Sequence, residues 1–151
     1  MKSLNRKGFT LVEMLAVVVI LGIIMTIMVP SVNHLINKNR DDSYKSLENN
    51  IRSAAQAYLS DYRYEITLAS NLSSCNSNDT INVSKINDES INNSQLGIDT
   101  LINKGYLKAY KDGNIKNPRT SQNINLHESS VLIQYSCSKK DYIYGTVNIV
   151  E

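Results

Sequence analysis

The sequence predicts an α+β protein in which one long N-terminal helix, half transmembrane and half amphipathic, packs against a small C-terminal antiparallel sheet. Three observations predict it. An apolar run of bilayer length extends from Phe9 to Val29, interrupted by one acid, Glu13. Beyond it, apolar residues recur at intervals of three and four, the mark of one buried helix face. Past residue 130 the chain changes to strict alternation, the period of a half-buried strand.

The chain opens MKSLNRKG, a basic head carrying Lys2, Arg6 and Lys7 and closing on Gly8. FTLVEMLAVVVILGIIMTIMVP follows, close to the roughly 20 residues that span a bilayer. A secretory signal peptide shares the basic head, but its apolar region is shorter, and no A-x-A site follows Val29. A plain membrane anchor with its lysines on the cytoplasmic side accounts for everything except Glu13 and the Gly8–Phe9 junction. A carboxylate inside an apolar span is costly, so Glu13 needs a partner that offsets its desolvation.

The segment GFTLVEMLAVVVILGIIMTIMVP resembles the N-terminus of type IV pilins and pseudopilins. The basic leader, the Gly-Phe junction, the acid, Gly22 and Pro30 coincide in register over about thirty residues; beyond them the likeness is one of layout. The resemblance implies that a prepilin peptidase cuts between Gly8 and Phe9 on the cytoplasmic face and that Phe9 is then N-methylated. It makes Glu13 the fifth residue of the processed chain, the position characteristic of the family. It makes Gly22 and Pro30 helix-weakening positions. It implies partners as well: other copies of the chain and other pilins in a filament, an inner-membrane assembly platform with its ATPase, and the lipid bilayer. Cleavage creates an α-amine on Phe9, as unwelcome in lipid as the carboxylate. Pairing Glu13 with the amine of a neighbouring subunit offsets both penalties and fixes axial register, while the apolar residues from Leu11 to Ile27 supply cohesion.

Without residues 1–8 the charge balance changes sign. The full chain has a net charge of +2; its 16 basic residues less the three of the leader leave 13 against 14 acidic, a net −1. There is no basic bias of the kind nucleic-acid binding requires. At 151 residues there is room for one modest head beyond the helix. Four segments are expected: the removed leader 1–8, the transmembrane half 9–30, the amphipathic half 31–68, and the rest of the head, 69–151.

In the amphipathic half, Val32, Leu35, Ile36, Tyr44, Leu47, Ile51, Ala54, Ala55, Tyr58, Leu59 and Tyr62 trace the buried face. A helix continuous from Phe9 would run about 55–60 residues, roughly 80–90 Å. Pro30 removes a backbone donor and is expected to kink or loosen it; a simple end of the membrane helix is the alternative. Residues 69–95 form a polar, Asn-rich connection in which Ile81, Val83, Ile86 and Ile91 are candidates for short strand or turn contacts. The N-x-S/T patterns at Asn71, Asn78, Asn82 and Asn92 are what such a composition produces by chance. LGIDTLINKG is expected to be a short helix closed by Gly105, followed by anchoring residues Tyr106, Leu107 and Tyr110. Asp112-Gly113 and Asn117-Pro118 signal turns. Ser130–Cys137 and Tyr142–Val150 are expected to pair as an antiparallel hairpin around the turn SKKD, with Tyr142 and Tyr144 on one face and Ile143, Val147 and Ile149 on the other.

Two cysteines, Cys75 and Cys137, are either small buried thiols or a disulfide. The polar surroundings of Cys75 (SSCNSND) make burial awkward and an exported head makes a bond plausible. No metal, cofactor or catalytic constellation is expected: His34 and His127 lack ligands at metal-binding spacing, and the acidic pairs Asp41-Asp42 and Asp88-Glu89 suit a solvated surface. The expected function is therefore a structural one. The resemblance implies a type IV pilus subunit, major or minor, held in the cytoplasmic membrane with its C-terminal domain outside before assembly and extracellular afterwards. A pseudopilin of a type II secretion or DNA-uptake apparatus is the alternative within the family. A single-span adhesin or sensor that never polymerises is the alternative from another class, ahead of a membrane-anchored enzyme.

Overall fold

A computed structural model describes residues 9–109 and 112–151. The leader 1–8, with Gly8, and Tyr110 lie outside the described residues. The chain divides into two compact units, 1–40 and 41–151.

One α-helix, α1, runs from Leu11 to Asp61. It is the one helix among the described residues long and apolar enough to cross a membrane. In the first unit its apolar side chains are exposed, with Leu11 at 82% and Val29 at 59%. The helix is continuous through Gly22 and Pro30, so Pro30 does not end it.

The second unit is an α+β head. The last turns of α1 bury Ile51, Ala54, Ala55, Tyr58 and Leu59 in a core shared with Val83, Ile86, Leu96, Ile98, Leu101, Val131, Ile133 and Val147. Each fully buried aliphatic side chain there contributes roughly 1.5–3 kcal/mol. The sheet has six strands: β1 (Ile66–Leu68), β2 (Thr80–Ile86), β3 (Glu89–Ser90), β4 (Gln95–Gly97), β5 (Ser130–Ser136) and β6 (Asp141–Asn148). Its path is β1-β2-β5-β4, with β3 beside β2 and β6 beside β5, all pairs antiparallel.

Three expectations are corrected. The helix stops at Asp61, short of Leu68; a 3-10 turn at Arg63–Glu65 leads into β1. Tyr62 is the last apolar residue on the helical period, and the Ile66-Thr67 pair suits an extended backbone, which β2 stabilises by pairing. The polar connection is also largely structured, since β2, β3 and the start of β4 lie within it. β2 hides its alternation behind a bulge. Leu68 pairs with Val83 while Thr67 pairs with Lys85, so Ser84 is the extra residue. The bulge lets Ile81, Val83 and Ile86 all be buried although 83 and 86 have opposite parity. Ser84 gives its carbonyl to the Ile91 N–H at 2.8 Å.

The third correction concerns β6. Val131 pairs with Val147 but Ile133 pairs with Tyr144, so two residues, Gly145 and Thr146, oppose Leu132 alone. The parity switches there, and Tyr142, Tyr144, Val147 and Ile149 all pack against the core rather than dividing between faces. The approach is close at Gly145, where a Cβ would lie 2.8 Å from Leu132 Cδ2 and 3.2 Å from Leu132 Cβ. Arg52 of α1 donates from Nη2 to the Gly145 carbonyl at 3.2 Å, fastening the bulge to the helix. Gly145→Ala is expected to destabilise the head by about 1–3 kcal/mol through overpacking, seen as a lower urea midpoint with an unchanged slope.

Ser94 lies where β2 and β4 share one edge of β5. It is fully buried with φ of 62°. Its Oγ accepts the Val83 N–H at 2.9 Å and its carbonyl accepts the Ile133 N–H at 2.8 Å. Ser94→Ala strands a buried N–H, and a loss of about 1–3 kcal/mol is expected in the same unfolding experiment.

The short helix α2 (Ile98–Asn103) ends in a Schellman motif. Gly105, at φ of 82°, donates to the Ile102 carbonyl, and Tyr106 donates to that of Leu101. Tyr106 then donates its hydroxyl to Asp61 Oδ2 at 2.6 Å, which pushes the phenol up to about 12 and ties α2 to the end of α1. Arg119 performs the equivalent task for the loop before β5, pairing with Asp41 at 2.7 Å and lying 4.0 Å over the Tyr44 ring.

Candidate functional site

The candidate site is the start of α1. Thr10 precedes the first helical residue, and Glu13 stands three residues on, the T-x-x-E spacing of a capping box. The geometry is that of the box: Glu13 Oε2 accepts both the Thr10 N–H and the Thr10 hydroxyl, each at 2.8 Å. Thr10 Oγ accepts the Glu13 N–H at 3.3 Å. These bonds satisfy donors that a helix start otherwise leaves open. Sequence reasoning sought a partner for Glu13 in a neighbouring chain and missed the one three residues away, although the spacing was legible.

Phe9 lies just before the helix and is 75% exposed. Gly22 lies in the middle of the apolar stretch, and a Cβ on it would meet nothing within 4 Å. Space within the chain therefore does not demand glycine there. Pro30 continues the helix eight residues further on. Phe9 before the helix and Glu13, Gly22 and Pro30 within it are spread along the segment and do not converge on a pocket.

Cys75 and Cys137 are bonded to each other in the second unit, with Cα atoms 5.6 Å apart and a separation of 62 positions in sequence. The bond ties the connection after β1 to the end of β5, where the Cys137 N–H also donates to the Asp79 carbonyl at 3.1 Å. His34 is exposed on α1. His127 meets Asp99 Oδ2 at 2.8 Å through Nδ1 at the surface. Among the described residues no three His, Cys, Asp or Glu side chains gather as metal ligands would.

An apolar helix long enough to cross a membrane, with a capped acid at its start, thus precedes a disulfide-bonded α+β head in the chain. Residues 3–29 match the family described as the prokaryotic N-terminal methylation motif. The match is confined to the N-terminal segment and supports the likeness of that segment to the N-termini of type IV pilins and pseudopilins. Neither the curated proteins nor the solved structures gave a match to the chain.

Proposed function

We propose that this chain is a structural subunit of a type IV pilus, cleaved between Gly8 and Phe9, methylated on Phe9 and polymerised through α1. The observation that carries the proposal is the methylation motif over residues 3–29, in register with a helix whose apolar residues are exposed in the isolated chain. That surface must be covered, by lipid before assembly and by neighbouring helices after it. Repeating one such contact head to tail does not close on itself, and so yields a filament. Force generation belongs to a separate ATPase.

The capping box refines the role of Glu13. Before assembly the carboxylate is held by Thr10 of its own chain, which reduces its exposure to lipid. On assembly it exchanges those bonds for the α-amine of a neighbour. Gly22 and Pro30 serve as the places where α1 yields as the filament is packed or stretched.

Intact-mass measurement on membrane or filament protein tests the processing. Loss of residues 1–8 with one added methyl group is expected. A chain starting at Met1, or cut after Val29, overturns the reading. Locating the chain in extracellular filaments, rather than in a short envelope-spanning assembly, separates a pilus subunit from a pseudopilin.

A further inference from the structure

A small cleft opens in the head between the last turns of α1 and the beginning of β6. It holds about 190 Å³ and is lined by Gln56, Ser60, Arg63, Asp141, Tyr142 and Tyr144. Gln56 and Ser60 lie one turn apart on the helix, so both face the strand. Among the described residues, the Gln56 amide and the hydroxyls of Ser60, Tyr142 and Tyr144 make no side-chain hydrogen bond within the chain, leaving donors and acceptors directed at one space. Arg63 and Asp141 meet at 3.5 Å with 59% and 61% of their side chains exposed, so each retains hydrogen-bonding capacity toward a ligand. Their charges cancel, and the cleft favours neither an anion nor a cation. The Tyr142 ring is held edge-on against Tyr135, with centroids 5.4 Å apart, and Tyr144 packs on the core. Each ring brings apolar surface and a hydroxyl to the lining of the cleft.

The ligand that matches is small, uncharged, rich in hydroxyls and apolar on one face. We propose that this cleft binds a neutral saccharide, one hexose-sized unit at a time. The volume is below that of ordinary cofactor pockets and suits a single ring better than a nucleotide. A single sugar ring in so open a site is expected to bind with a dissociation constant on the order of 1 mM. The proposal concerns the head alone and stands whether or not the chain polymerises.

The test is saturation-transfer NMR on the full chain in detergent. The probes are the methyl glycosides of glucose and galactose and free N-acetylglucosamine, compared with sialic acid and with glycine. Transfer to at least one neutral sugar is expected, weakened roughly ten-fold by Gln56→Ala and by Asp141→Asn and unchanged by Lys116→Ala on another part of the head. Thermal melts of the variants confirm that the head is folded. No transfer from any neutral sugar overturns the proposal. So does binding that both cleft variants leave intact, and so does preference for sialic acid or for glycine over the neutral sugars.

Discussion

Glu13→Val is expected to leave insertion and processing intact and to abolish assembly. Removing the charge makes the apolar segment more favourable in lipid, so membrane levels should hold. In the filament the substitution leaves a neighbour's α-amine unpaired in an apolar core, and incorporation should fall by roughly two orders of magnitude. The capping box offers a rival account, in which Glu13 merely completes the start of α1. Glu13→Gln separates the two, because glutamine closes a capping box as glutamate does but carries no charge. If pairing with the amine is the function, Gln fails at assembly as Val does. If capping is the function, Gln restores filaments. The measurement compares membrane level, intact mass and surface filaments in cells lacking the native copy. Normal filaments from Glu13→Val refute both roles. For a subunit present in few copies, incorporation into filaments is the quantity to follow.

Replacing both cysteines by serine is expected to be the most damaging change to the head. The bond closes a loop set by a separation of 62 residues. The chain-entropy account assigns such a loop roughly 4 kcal/mol, and loss of a native disulfide from a small exported domain typically costs about 2–5 kcal/mol. That is a large share of the stability of a head this size. The effect should be visible as a lower unfolding midpoint and as proteolysis in the segment after β1, which loses its covalent tie to β5. The Asp79 carbonyl bond to Cys137 remains in the variant but is worth much less. A loss below about 1 kcal/mol would show that the loop is held by other contacts. Two freely alkylated thiols in unreduced, natively exported protein would show that the bond does not form.

Much of the head was legible because its signals are local. The helical period from Leu47 to Tyr62 marks the face that α1 buries. Gly105 closes α2 by the motif its position suggests, since only a residue tolerant of positive φ suits that site. Asp112-Gly113 is a turn, with Gly113 at φ of 78°. Ile81, Val83 and Ile86 were legible as candidates for strand or turn contacts, but the single strand β2 that holds them was not, because a bulge at Ser84 breaks the alternation that a period-2 reading requires. The same failure, at Gly145 and Thr146, assigned the tyrosines and Val147 of β6 to opposite faces. A bulge is chosen by the partner strand, which the local sequence does not display.

Local sequence sufficed for the membrane-length apolar helix and for the α+β class of the head. Those properties rest on hydrophobicity, charge and period, which neighbouring residues carry without help from the rest of the chain. The tertiary fold set the end of α1 at Asp61, the pairing of six strands rather than two, and the joining of Cys75 to Cys137. It also decided that Ser94 bridges two strands from a buried position. Each of these joins residues distant in sequence, and their energies come from burial and hydrogen bonds that exist only once the strands have met.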